Sequence, residues 1–123
     1  MQKLCIYIVE DNPLMAHALK CMLINFGHDI CGVAESYDKA VKDLTEMEVD
    51  LVITDIMLEG EENGIDLARY INDNLQIPFI FQSSITSTEM IQEAFETNPN
   101  AFLPKPVSKS AMLQALSTVT SAN

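Results

Sequence analysis

Basic residues are scarce in this chain. Its 123 residues hold 7 Lys and Arg against 18 Asp and Glu, a formal charge of −11, and Arg69 is the one arginine. The lysines Lys3, Lys20, Lys39, Lys42, Lys105 and Lys109 are dispersed along the sequence rather than clustered. Affinity for a phosphate backbone is built on clustered Lys and Arg, so this charge argues against nucleic acid as a direct partner, and the acidic surface serves solubility. Long apolar runs are missing as well. The longest uncharged stretches, such as "LQIPFIFQSSITST", contain Gln, Ser, Thr and Pro. None of them suits the ~30 Å hydrocarbon core of a bilayer, and no membrane partner is expected. The start, "MQKLCIYIVED", reaches two acids without the small-residue cleavage site of a secretion signal, which makes the cytoplasm the expected compartment. Cys5, Cys21 and Cys31 form no C-x-x-C pair and are odd in number. In a reducing compartment they read as small core hydrophobes. There is no internal repeat, low-complexity segment or linker.

What is present is a chain of one-domain size, 48% apolar with charges interspersed, able to bury roughly two thirds of its unfolded surface. Residues 1–123 are expected to form one domain. "KLCIYIV" (3–9) reads as a buried strand. Helical spacing follows in Leu14, Met15, Ala18, Leu19, Met22, Leu23 and Phe26, behind Asn12 as N-cap and Pro13 at the first position, with Gly27 as the stop. "DICGVA" (29–34) is the second strand. Ser36 caps a second helix with Ala40, Val41, Leu44 and Met47 inward. "DLVIT" (50–54) is the third strand, and Asn63 and Gly64 lead into a helix that buries Ile65, Ala68 and Ile71. "IPFIFQ" (77–82) is the fourth strand. Thr86 and Glu89 make a capping box for a helix with Met90, Ile91, Ala94 and Phe95 inward. "AFL" (101–103) is a short fifth strand, and a fifth helix from Ser108 buries Ala111, Met112, Ala115, Leu116 and Val119. The polar end "STVTSAN" reads as a fraying terminus. Strict alternation of apolar strands with amphipathic helices implies a doubly wound α/β domain with a parallel sheet covered on both faces.

One residue breaks this pattern. In "LVITDIML" (51–58) a carboxylate, Asp55, interrupts an apolar run. Asp is depleted in strands and costly to bury alone, so it belongs at the strand's end or serves chemistry. In open parallel sheets ligands bind beyond the carboxyl ends of the strands. Glu10 and Asp11 follow the first strand, Asp55 the third, Ser83 and Ser84 the fourth, and Lys105 the fifth. If the first and third strands are neighbours, three carboxylates converge, and their repulsion calls for a hard divalent cation such as Mg²⁺. Asp55 then becomes a plausible nucleophile toward phosphorus, with Lys105 and the Ser83 hydroxyl available to phosphoryl oxygens.

The joint pattern of "YIVEDN", "LVITDIML", "NGIDLARYI", "IPFIFQSS" and "AFLPKP" resembles the receiver domain of two-component response regulators, over the whole chain. The resemblance implies a flavodoxin-like fold of five parallel strands in order 2-1-3-4-5 with five helices. It implies Asp55 as phosphoacceptor, Mg²⁺ bound by Glu10, Asp11, Asp55 and the backbone carbonyl of Met57, Ser83 as switch hydroxyl, Phe102 as switch aromatic, and Lys105 against the phosphoryl group. It also implies a cis peptide before Pro106. The expected chemistry is transfer from a phosphohistidine on a sensor histidine kinase or histidine phosphotransfer protein, followed by slow loss of the phosphoryl group. The expected output is a remodelled face of helix four, strand five and helix five that contacts a downstream effector or a second copy. Glu59 stands where many members have proline, "EGEENG" sets Gly64 one residue further from Asp55, Met57 brings no polar side chain, and Ser84 is slightly larger than usual. None of these removes a required group.

Two other readings remain at this stage. One is a docking module of the same fold that is never phosphorylated. The other is a Mg²⁺-dependent phosphohydrolase with an aspartyl-phosphate intermediate, disfavoured because Met57 occupies the position of the second Asp in such enzymes. Acting alone through protein contact is the expected mode, rather than as part of a longer regulator.

Overall fold

The computed structural model describes residues 2–120 of the chain. Strands and helices alternate as β1 (Cys5–Val9), α1 (Pro13–Asn25), β2 (Asp29–Ala34), α2 (Tyr37–Glu46), β3 (Leu51–Asp55), α3 (Gly64–Asn74), β4 (Phe79–Ser83), α4 (Thr88–Glu96), β5 (Ala101–Pro104) and α5 (Lys109–Thr120). The strands form one parallel sheet in the order β2-β1-β3-β4-β5. This is the doubly wound α/β architecture read from the alternation, with ends shifted by up to two residues. The region 117–120, expected to fray, is the last turn of α5, and 121–123 lie outside the described residues.

Successive strand residues face opposite sides of the sheet, and the core divides accordingly. Tyr7 and Val9 of β1 join Ala40 and Leu44 of α2, Ile65, Ala68 and Ile71 of α3 and Ala94 of α4 on one face. Ile6 and Ile8 join Leu19 and Leu23 of α1 and Met112, Ala115 and Leu116 of α5 on the other. Each fully buried Ile, Leu or Phe contributes about 1.5–3 kcal/mol. β3 lies in the middle with both neighbours paired, so all five of its residues are buried, Asp55 included.

Local chemistry sets the helix starts. The Asn12 side chain accepts from the N–H groups of Leu14 and Met15 at 3.0 and 3.2 Å, with Pro13 in first position. Ser36 accepts from Lys39 N–H. Asn63 and Asp66 form a reciprocal capping box at α3 that the sequence reading did not identify. At α4 the cap is Ser87, which accepts from Met90 N–H, and not the expected Thr86–Glu89 pair. Entry one residue later leaves Glu89 in the first turn with no role in the cap.

Several expected core residues are at the surface. Leu14 is 82% exposed, Met15 40%, Met47 37% and Phe95 55%, and Ala18 is exposed too. Leu14 and Ala18 lie off the buried stripe of Ala16, Leu19 and Leu23, and Met47 is the extended C-cap that follows the last turn of α2. Cys21 is also exposed, 3.5 Å from His17 Nε2, while Cys5 and Cys31 are half-buried.

Candidate functional site

The carboxyl ends of β1, β3, β4 and β5 bring together Glu10, Asp11, Asp55, Ser83 and Lys105. Glu10 is held just past β1 by its N–H, which donates to Ala34 O at 2.9 Å. Its side chain is buried. Oε2 accepts from Asn12 N–H at 3.1 Å and Oε1 from Lys105 Nζ at 2.6 Å. Asp55 ends β3; its Oδ2 accepts from Lys105 Nζ at 2.7 Å and its Oδ1 from Met57 N–H at 3.3 Å. Lys105 thus bridges two carboxylates that stand 45 residues apart in the chain. Its position is fixed from the backbone, where Lys105 N–H donates to Ser83 O at 2.9 Å, and the peptide bond to Pro106 is cis, as the resemblance implies.

Asp11 is the third acid. Ligand oxygens of Glu10, Asp11 and Asp55 lie within 4.8 Å of one another. Three carboxylates face one ammonium, so two negative charges are left without a counterion. Burial, a hydrogen bond shared with Glu10 and the charges of Glu10 and Asp55 raise the Asp11 pKa. Burial works to lower the Lys105 pKa, but the hydrogen bonds and charges of Asp55 and Glu10 outweigh it, so the ammonium is held above its ordinary value. An all-oxygen, over-acidic cluster at a concave edge fits a hard divalent cation.

The remaining expected residues fall around this cluster. Met57 follows in the loop, with its side chain 54% exposed. Ser83 is buried at the end of β4, and its Oγ accepts from Ile85 N–H at 3.0 Å, turned into its own loop. Ser84 is exposed, and Glu59, also exposed, pairs with Ser36 in an isolated bridge. Phe102 on β5 is half-buried. It stacks on Phe95 of α4 at 5.3 Å between ring centroids, and inclines to Phe81 at 6.3 Å.

Two residues within the quoted motifs contribute in ways that the motifs did not indicate. Gly64 opens α3 against the loop that follows β3: its N–H donates to Ile56 O at 2.7 Å, and a Cβ there would overlap the Asp55 carbonyl. Only glycine fits, so α3 can close on the end of β3. Gln82 is the other, a buried amide within β4.

A family model, the response regulator receiver domain, matches residues 6–117. The chain belongs to this family. Receiver domains are signalling domains of two-component response regulators, and the fold described above is that of such a domain. Chemotaxis protein CheY of Thermotoga maritima is 30% identical over 118 residues, 94% of this chain and 96% of that protein. Phyllosphere-induced regulator PhyR of Methylorubrum extorquens is 34% identical over 77 residues, 62% of this chain but 29% of that regulator. The signal receiver domain of a modulated diguanylate cyclase from Desulfovibrio desulfuricans superposes with a TM-score of 0.92 at 29% identity, covering 98% of this chain and 96% of that one. The chain therefore spans under a third of one regulator it matches and nearly all of another. Among the described residues no helix is long and apolar enough to cross a membrane.

Proposed function

We propose that this receiver domain, taken as a single unit over 1–123, is the phosphoacceptor of a two-component phosphorelay in the cytoplasm. Asp55 takes a phosphoryl group from a phosphohistidine on a sensor histidine kinase or histidine phosphotransfer protein. The observation that carries this reading is the Lys105 bridge between Glu10 and Asp55 inside a cluster of three acids. A docking module needs no such arrangement, since an unbalanced buried acid cluster destabilises the fold that holds it.

In the transfer, an Asp55 carboxylate oxygen forms the new P–O bond as the P–N bond to the donor imidazole breaks, and the departing imidazole takes up a proton. Lys105 Nζ, 2.7 Å from Asp55 Oδ2, stands where negative charge builds on the phosphoryl oxygens. Glu10, Asp11, Asp55 and the Met57 carbonyl would hold Mg²⁺, which supplies neutralisation of phosphoryl and carboxylate charge when bound. Gly64 and the Met57 N–H keep the Asp55 carboxylate oriented. The donor is received on the α1 side, where exposed Met15 lines a groove with Lys105.

The added charge then draws the Ser83 hydroxyl from Ile85 N–H toward the phosphoryl group. Phe102 moves inward, leaving Phe95. These shifts change the face of α4, β5 and α5 that a downstream effector, or a second copy of the chain, reads. Intact-protein mass after incubation with acetyl phosphate tests the reading. A gain of one phosphoryl group that needs Mg²⁺ and is absent in Asp55→Asn is the expected result. Equal labelling of Asp55→Asn would refute it.

A further inference from the structure

The face of α1 turned away from the sheet carries two side chains of the kind that ligate transition metals. His17 and Cys21 stand one helical turn apart, both exposed, with Nε2 and Sγ 3.5 Å from each other. Bonds of about 2.0 Å to nitrogen and about 2.3 Å to sulfur, opened to a tetrahedral angle, set two ligand atoms of a zinc ion about 3.5 Å apart. The pair already has the bite of a tetrahedral chelate. It is two ligands short of a closed shell, and its own chain does not bring them: among the described residues, the one group of three or more His, Cys, Asp or Glu close enough to share an ion is Glu10, Asp11 and Asp55.

The residues around the pair point to the source of the other two ligands. Leu14, 82% exposed, and Ile24, 49% exposed, flank it. At about 100° per residue, positions 14, 17, 21 and 24 fall within an arc of about 80°, nearly opposite the buried Ala16, Leu19 and Leu23. Their spacing of three, four and three residues is that of a seam between two helices. It is also symmetric about Leu19, with His17 and Cys21 two residues to either side and Leu14 and Ile24 five. A twofold axis across α1 at that level sets Leu14 against Ile24 of a second copy and brings two imidazoles and two thiols together. Charge permits the approach. α1 holds none of the 18 acids and adds Lys20, so two chains of −11 can meet there.

We propose that His17 and Cys21 form a zinc site completed by a second copy of this chain. One Zn²⁺ is held by two imidazoles and two thiolates, the ligand set of closed structural zinc sites, and each Cys21 gives up its thiol proton to solvent on binding. Thiolate and imidazole select zinc over Mg²⁺, which takes oxygen ligands such as those of the acid cluster. The ion decides the association. Two apolar residues per copy cover far less than the roughly 1,200 Å² of a stable interface, so the chain is a monomer without zinc and a dimer with it. The inference goes beyond the phosphoacceptor reading and does not depend on it.

The test follows the sedimentation of the full chain, kept reduced and in excess Mg²⁺, as Zn²⁺ is added. A dimer with one zinc per two chains, dissolved by a chelator, is the expected result. His17→Ala and Cys21→Ser, both at exposed positions, should each weaken zinc-driven dimerisation by more than the roughly tenfold that loss of an outer-shell partner costs. Cys31→Ser and Asp11→Asn should dimerise as the wild type does. With Co²⁺ in place of zinc, a thiolate-to-cobalt absorption band should appear in the wild type and be missing in Cys21→Ser. A dimer that forms without metal, a zinc ion held by the monomer, or full dimerisation of Cys21→Ser overturns the proposal. Loss of the zinc dimer in Asp11→Asn with retention in Cys21→Ser assigns the ion to the acid cluster, which also overturns it.

Discussion

Polar side chains gather at both ends of this sheet, and the two ends use them differently. At the amino ends of the strands, Leu4 N–H donates to His28 Nδ1 at 3.0 Å and Cys5 N–H to Asp50 Oδ2 at 2.8 Å. Burial, with the neighbouring Cys5 thiol, pushes the Cys31 thiol up to about 12. His28 and Asp50 close backbone donors, and the one buried atom there left without a partner among the described residues, His28 Nε2, belongs to a ring that burial keeps neutral. At the carboxyl ends, Glu10, Asp11 and Asp55 confront Lys105 with two charges left over. Polar residues whose bonding is complete hold a fold together. Unbalanced charge, kept although it destabilises, marks chemistry.

The sharpest way to break this contrast is to remove the cation from each end. Lys105→Met leaves Glu10 and Asp55, with side chains 1% and 10% exposed, facing each other unpaired. A loss of about 3 kcal/mol in urea unfolding is expected. Lys3→Met at the other end breaks an ion pair whose side chains are 64% and 65% exposed, and should change stability by under about 1 kcal/mol. Comparable losses would erase the distinction.

Next in size is the metal. Mg²⁺ at a hundredfold excess over its Kd should stabilise the wild type by about 2.7 kcal/mol, with little response in Asp11→Asn. Because the Asp11 pKa is raised in the folded state, its penalty is present above that value and vanishes as pH falls toward the ordinary 3.8. Asp11→Asn without metal should therefore be more stable than wild type near neutrality, and the gain should fade in acid. Thermal melts across pH measure both effects.

The smallest effect belongs to the amino end. His28 is 3% exposed, its Nδ1 accepts from Leu4, and its Nε2 has no partner among the described residues. Burial lowers its pKa from 6.5. A depressed imidazole pKa means that the unfolded chain takes up a proton first. Stability should fall as pH drops below 6.5, by at most about 1.4 kcal/mol per pH unit, until the folded pKa is reached. His28→Gln, which keeps an acceptor for Leu4, should lose that component of the slope. An identical slope in the two proteins would contradict it.

Much of this was legible in the residues. The apolar runs of β1 and β3, the Asn12–Pro13 start of α1 and the acids that end strands follow from local chemistry, and strict alternation then leads to the parallel sheet. Residues at the margins were not. Leu14 stands five and nine residues before Leu19 and Leu23, which at about 100° per residue puts it on the far side of α1, and Met15 falls at the edge of the buried stripe of Ala16, Leu19 and Leu23. Phe95 follows the period of Ala94's face but stacks on Phe102 from outside. Periodicity reports which side of a helix faces inward, and not how far the sheet extends beneath it. Gly64 was legible as a helix entry, but the reason only glycine fits there, contact with the Asp55 carbonyl, is made across the fold and carries no local signal.

The central claim is that the unbalanced end of the sheet exists to phosphorylate Asp55. Borohydride converts an acyl phosphate to an alcohol, so treating the chain with acetyl phosphate and Mg²⁺, reducing it, and sequencing its peptides by mass locates the modified carboxyl. Homoserine at position 55 alone, dependent on Mg²⁺, is the predicted result. Homoserine at Asp11 or another acid, or reduction that does not depend on Mg²⁺, would contradict the account.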